Sequence, residues 1–136
     1  MRGQLTRRRK AHGAAAVEFA LVLPLLLAIV LGAIDWGYYF FVEQVVVNAA
    51  REGARVGTLQ SNQNQTDALN NAQSACTSFI TQAGLNSAGA TCTPSAGASP
   101  SGPSIVVTAS YPTGSLTGFL NAIVPAQAFA RAEMRN

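Results

Sequence analysis

The chain opens with a short basic stretch that runs into a long apolar one. Residues 7–10 are four consecutive cations, and residues 14–34 are apolar except for Glu18. An apolar run of this length matches the roughly 20 residues that a helix needs to cross a hydrocarbon core. Because the cations precede the run and no similar cluster follows closely, the positive-inside rule keeps the N-terminus in the cytoplasm. The pattern predicts one membrane-spanning helix whose C-terminal side lies outside the cytoplasm.

The predicted helix continues beyond the membrane. Residues 42–56 contain no Pro and only one Gly, and most are good or moderate helix formers. Ala49, Gly53 and Gly57 recur every fourth residue, so they predict a face that another helix can approach closely. Pro24 lies inside the apolar run and predicts a kink.

Aromatic residues mark the far end of the apolar run. Asp35 is followed by Trp36, Tyr38, Tyr39, Phe40 and Phe41. Trp and Tyr beside a charge are typical of the aromatic belt at a membrane interface. A ligand-binding aromatic box is the alternative interpretation, but composition and position favour the belt.

A second helix follows a polar linker at residues 60–65. Thr66 or Asp67 is expected to cap this helix, which runs to about Gln82 before Gly84 stops it. Its apolar face is predicted at helical spacing by Ala68, Leu69, Ala72, Ala75, Cys76, Phe79 and Ile80. Residues 88–103 are rich in Ser, Gly, Ala and Pro, and they predict an exposed loop with at most a short strand near residues 90–93.

The C-terminal third of the chain predicts a small sheet. Residues 104–111 alternate Ile105, Val107, Ala109 and Tyr111 with more polar neighbours, which indicates a strand. Residues 116–124 predict a short helix, and residues 126–134 a second strand that pairs with the first. The predicted fold class is α+β, with a basic leader at 1–13, a long hydrophobic helix at 14–58 and a small extracytoplasmic domain at 59–136.

Charge and cysteine content narrow the possible functions. Five of the nine basic residues lie before Gly13; without that leader, the formal charge changes from +3 to −2. The remainder has no Lys and no basic stripe, so we expect no nucleic-acid partner. Cys76 and Cys92 both lie on the predicted outer side, where an oxidising compartment favours a disulfide over two free thiols.

No catalytic or metal centre is predicted. His12 is the only histidine and lies in the leader, which leaves too few ligands for zinc. Glu52 and Arg55 stand three residues apart, and a surface ion pair on a solvated helix explains them. No nucleophile and base set can be assembled, so we expect no enzymatic activity, no cofactor and no metal.

Glu18 is the informative residue of the apolar run, because an ionisable group in a membrane costs about 2.5 to 3.5 kcal/mol on insertion scales. Its side chain could sit at the cytoplasmic headgroups and pair with Arg9 or Lys10. A secretory signal peptide would have a shorter core and a small-x-small cleavage site, which Leu31-Gly32-Ala33 does not supply. A plain anchor would fit the length but leaves the carboxylate unexplained.

The segment Gly13-Ala14-Ala15-Ala16-Val17-Glu18-Phe19-Ala20-Leu21-Val22-Leu23-Pro24 resembles the cleavage region of type IV prepilins. The later segment Ala49-Ala50-Arg51-Glu52-Gly53-Ala54-Arg55 resembles TadE-like proteins of the tight-adherence (Tad, or Flp) branch. The loose ending from Ala128 to Glu133 is similar to them as well.

The resemblance implies a processing and an assembly function. A prepilin peptidase would cut between Gly13 and Ala14, which makes Glu18 the fifth mature residue and Phe19 the aromatic after it. The implied function is a minor pilin or pseudopilin in pilus assembly or adhesion, held in the bacterial inner membrane or exposed in a pilus. Its implied partners are the lipid bilayer, the peptidase, other pilin subunits and the Tad assembly platform. An uncleaved bitopic envelope protein with an extracytoplasmic binding domain is the alternative.

Overall fold

A long helix, a shorter helix and a small sheet make up the protein. The computed structural model describes residues 5–60, 64–99 and 102–135. In chain order, its elements are α1 (Leu5–Gln60), α2 (Gln65–Gln82), a 3₁₀ turn (Ser87–Gly89), β1 (Thr91–Ser99), β2 (Gly102–Pro112) and β3 (Gln127–Arg135). The α+β class, the long apolar helix, the second helix and an antiparallel sheet are confirmed.

Helix α1 is 56 residues long, about 84 Å at 1.5 Å per residue. It begins at Leu5, so the backbone of residues 5–13 of the predicted leader is part of the same helix. The helix also runs through Pro24 without a break. Residues 1–4 of the predicted leader, the side chains of 5–12 and residues 61–63 of the predicted linker lie outside the described part of the chain.

Helix α2 ends at Gln82 as predicted, but it begins earlier, at Gln65, and has a different cap. Asn64, in an extended conformation, accepts a hydrogen bond of 3.0 Å from the Thr66 amide through its side-chain oxygen. Thr66 and Asp67, the predicted caps, therefore lie inside the first turn, because Asn is at least as good a cap and comes earlier. After Ala83, Gly84 takes a φ of +85°, the left-handed conformation that favours glycine after a helix.

The sheet has three antiparallel strands in the order β1-β2-β3. Strand β2 pairs with β1 from Thr91↔Ser110 to Ser99↔Gly102, and with β3 from Ser104↔Arg135 to Pro112↔Gln127. The expectation of a loop at residues 88–103 was wrong, because β1 extends over nine residues. Pairing with β2 outweighs its small-residue composition, and Pro94 is tolerated because β1 is an edge strand.

The segment between β2 and β3 is not the predicted helix. Residues 116–124 form bends and a single turn, in which the amides of Ile123 and Val124 donate to the Leu120 carbonyl at 2.9 and 3.0 Å. Gly118 has a φ of +78°, which is incompatible with a right-handed helix. We call residues 113–126 the β2–β3 loop; the Thr113 amide donates to the Ala126 carbonyl across its base at 2.9 Å.

The core lies between the second half of α1, helix α2 and one face of the sheet. As the alternation in β2 predicts, Ile105, Val107, Ala109 and Tyr111 are buried within it. The helices contribute small and β-branched side chains, among them Val42, Val46, Ala49, Ala50, Ala54, Ala72, Cys76 and Ile80. The first half of α1 extends away from this core.

Candidate functional site

The first half of α1 presents apolar side chains that nothing in the described part of the chain covers. Residues 13–27 are all exposed; Leu21 is 75 % and Phe19 63 % accessible. From Gly13 to Gln60, α1 is long and apolar enough to cross a membrane. A surface of this size needs lipid or other protein around it, because large exposed apolar patches on soluble proteins are rare.

The residues of the predicted processing site lie in this exposed half. Gly13, Ala14, Glu18 and Phe19 are all exposed on α1. Glu18 follows Ala14 by four residues, so the two lie on one face of the helix. The alternative pairing of Glu18 with Arg9 or Lys10 involves two cationic side chains that lie outside the described part of the chain. The function of these four residues stays a prediction.

The small residues Ala49, Gly53 and Gly57 are buried, and the two glycines face α2 and the sheet. A Cβ atom on Gly53 would lie 2.8 Å from the Ala72 carbonyl oxygen and 3.0 Å from the Cys76 Cβ. One on Gly57 would lie 2.9 Å from Ile105 Cγ2. The helix that approaches this small-residue face is thus α2 of the same chain.

Cys76 and Cys92 are bonded as a disulfide, which joins α2 to β1. Cys76 is fully buried and Cys92 nearly so. The bond links α2 covalently to an edge strand of the sheet. It therefore limits how far α2 can move relative to β1.

Asp35, which the sequence reasoning treated only as an interface marker, is the most highly connected polar group described. Its carboxylate is fully buried and accepts hydrogen bonds from the Ser115 hydroxyl at 2.5 Å and the Thr117 hydroxyl at 2.8 Å. It also accepts from the amides of Thr117 at 2.8 Å and Leu120 at 3.2 Å. The β2–β3 loop therefore wraps around one carboxylate of α1.

This arrangement determines the protonation state of Asp35, which lies directly after the apolar run. Burial alone would raise the pKa of its carboxyl, but the hydrogen bonds from Ser115, Thr117 and Leu120 outweigh burial and lower the pKa from 3.8 to about 2. The group is an anion at neutral pH. The sequence shows a lone carboxylate after a long apolar run and, about 80 residues later, a loop that contains Ser and Thr. No pattern of neighbouring residues indicates that this loop binds the carboxylate.

Beyond Asp35, the aromatic residues form a cluster on the side of α1. The Trp36 ring lies 5.8 Å from that of Tyr39, edge to face, and 5.6 Å from that of Phe40. Trp36, Phe40 and Phe41 remain exposed. Partly exposed stacked rings beside an apolar helix are consistent with a membrane-interface belt.

Glu52 and Arg55 form the predicted surface ion pair, with 2.7 Å between Arg55 Nη2 and Glu52 Oε1. The hydrogen bond from Arg55 lowers the pKa of Glu52. Glu52 also borders a shallow depression of about 220 Å³, together with Ala75, Ser78, Phe79 and Gln82. Ligand pockets usually span roughly 300 to 1,000 Å³, so this depression is a poor binding site.

Metal-ligating side chains are not clustered in the described ranges. Among the described side chains, no group of three or more His, Cys, Asp or Glu could hold a metal ion. The exposed apolar surface of α1 and the hydrogen bonds to Asp35 make the first half of α1 and the β2–β3 loop the candidate functional elements.

Comparison with known proteins supports the resemblance noted in the sequence. Residues 13–55 match the family model for TadE-like proteins. The match begins at the predicted cleavage site, includes Asp35 and the aromatic cluster, and ends at Arg55. No curated protein and no solved structure matches the chain.

Proposed function

We propose that this chain is a minor pilin or pseudopilin of a Tad pilus system, cleaved by prepilin peptidase between Gly13 and Ala14. The family match over residues 13–55 is the observation that carries the proposal. It covers the apolar half of α1 and most of the half that packs against the domain. The proposed mature protein has an assembly helix at 14–58 and an extracytoplasmic domain at 59–136.

The division of α1 into two halves supports this function. The second half is one wall of the domain core, whereas the first half exposes Leu21, Leu25 and their neighbours. Lipid would cover these side chains while the protein resides in the inner membrane. Helices of other pilin subunits would cover them after the assembly platform extracts the protein, since both environments satisfy the same apolar surface.

Glu18 has a proposed function in maturation or assembly. Cleavage after Gly13 would create an ammonium group on Ala14, one helical turn from the Glu18 carboxylate. In an apolar environment an unpaired charge is costly, so the carboxylate can compensate an ammonium on its own or a neighbouring subunit. No catalytic function is proposed for any residue, and the domain supplies adhesion or assembly contacts.

The test is the intact mass and N-terminal sequence of the full chain, isolated from membranes of cells with and without the prepilin peptidase. We expect a start at Ala14 only when the peptidase is present. A chain that retains Arg7 to Lys10 in both strains would instead identify an uncleaved bitopic envelope protein. A start near Ile34 would identify a secretory signal.

A charge-removing variant tests the assembly step. Glu18→Gln keeps the side-chain shape, so membrane insertion should persist or improve while cleavage or incorporation into a filament falls. Glu43→Gln is the matched control, because Glu43 lies on the same helix outside the apolar run. If Glu18→Gln matures and assembles as well as the control, no special function remains for Glu18.

A further inference from the structure

The β2–β3 loop carries an apolar surface of its own. Leu116, Phe119 and Ile123 are 64 %, 53 % and 65 % exposed. Residues 113–126 include no Asp, Glu, Lys, Arg or His. Loops on soluble domains normally face water and are polar, so an uncharged loop with three large exposed apolar side chains requires another environment.

The position of the loop along α1 identifies that environment. Asp35 follows the apolar run directly, and four hydrogen bonds hold the loop against it. The loop also reaches further back, because Leu120 Cδ1 lies 3.5 Å from the position that a Cβ on Gly32 would occupy. Gly32 belongs to the apolar run, so the loop overlaps its last turn.

We propose that the β2–β3 loop is a membrane-docking surface, which inserts Leu116, Phe119 and Ile123 into the lipid leaflet on the domain's side of the bilayer. The contact at Gly32 makes this surface continuous with the lipid-facing surface of α1. The domain therefore contacts the bilayer surface directly and is not connected to it by α1 alone.

The burial of Asp35 agrees with this arrangement. A carboxylate at the edge of the hydrocarbon is costly unless it is shielded and fully hydrogen-bonded. The loop supplies two hydroxyl and two amide donors to Asp35 and leaves it no accessible surface. The lipid would then meet the exposed apolar side chains of the loop and not the carboxylate of Asp35.

The inference rests on the membrane span of α1, but not on cleavage or filament assembly. Its test is spin labelling of the full chain in vesicles of phosphatidylethanolamine and phosphatidylglycerol. Both native cysteines are bonded, so a cysteine introduced without reductant provides a single reactive thiol. Labels at Phe119→Cys and Ile123→Cys are compared for relaxation by oxygen, which partitions into lipid, and by a water-soluble nickel complex.

Two further labels serve as references. Leu59→Cys replaces an apolar side chain that is 69 % exposed near the C-terminal end of α1 and should report water. Leu27→Cys lies in the middle of the apolar run and should report lipid. The compared quantity is the ratio of spin-label relaxation by oxygen to relaxation by the nickel complex. We expect this ratio at Phe119→Cys and Ile123→Cys to resemble that at Leu27→Cys and to exceed that at Leu59→Cys several-fold.

Three outcomes would overturn the inference. Loop labels that match Leu59→Cys, while Leu27→Cys reports lipid, would place the loop in water and leave the proposed pilin function untouched. Loop labels that are shielded from both oxygen and nickel would show that a protein surface, such as a second copy of the chain, covers the loop. If Leu27→Cys reports water, α1 does not span the bilayer, and both proposals lose their basis.

Discussion

Gly53→Ala probes how closely α1 and α2 pack, because the added methyl group points directly into α2. Its Cβ would lie 2.8 Å from the Ala72 carbonyl oxygen, well inside the ordinary contact distance of 3.4 Å or more. The nearest atom belongs to the backbone of a helix, so no side-chain rotation relieves the contact. Movement of α2 as a whole is resisted by the disulfide at Cys76 and by the sheet below it.

Two opposing contributions determine the change in stability. Replacing Gly by Ala inside a helix stabilises it by about 1 kcal/mol. Overpacking a core costs typically about 1 to 3 kcal/mol, and a backbone contact places Gly53 in the upper part of that range. The net loss is therefore about 1 to 2 kcal/mol, which lowers the melting temperature of a small domain by roughly 5 to 15 °C.

The assay is thermal unfolding of the full chain in detergent micelles, followed by circular dichroism under oxidising conditions. Gly37→Ala is the matched control: it makes the same change in the same helix, where no atom beyond the adjacent residues and the helix's own backbone lies within 4 Å of the new Cβ. We expect Gly37→Ala to retain or raise the melting temperature. If Gly53→Ala unfolds at the same temperature as Gly37→Ala or above it, the argument from close packing is refuted.

Two other perturbations test the disulfide and the carboxylate. Replacing Cys76 and Cys92 together with serine should destabilise the domain by about 3 kcal/mol, given the sequence separation of 16 residues. A double variant that melts at the same temperature as the parent under oxidising conditions would contradict this. Because the pKa of Asp35 is lowered from 3.8 to about 2 on folding, its stabilising effect is complete above about pH 4 and is lost as the pH falls through 2. Asp35→Asn should therefore lower the melting temperature at pH 7. Between pH 4 and pH 2, the melting temperature of the variant should fall less than that of the parent. An equal fall in both proteins would contradict the lowered pKa of Asp35.

Local patterns in the sequence predict much of the architecture. The apolar run, the absence of helix breakers after it, the helical spacing around Cys76 and the alternation in residues 104–111 are all patterns among residues close together in the sequence. These patterns predicted α1, α2, β2 and β3. The resemblance was likewise carried by two contiguous segments, both inside the matched residues 13–55.

Tertiary structure decided the features that depend on residues distant in sequence. The composition of residues 91–99 predicts a loop, yet they form a strand because β2 offers them a full row of backbone partners. Residues 116–124 resemble a short helix, yet Gly118 turns the chain and the donors of Ser115 and Thr117 are bound by a carboxylate some 80 residues earlier. Hydropathy marks Asp35 only as the end of the apolar run. That it is the buried anion around which a loop folds depends on a contact that no local pattern encodes.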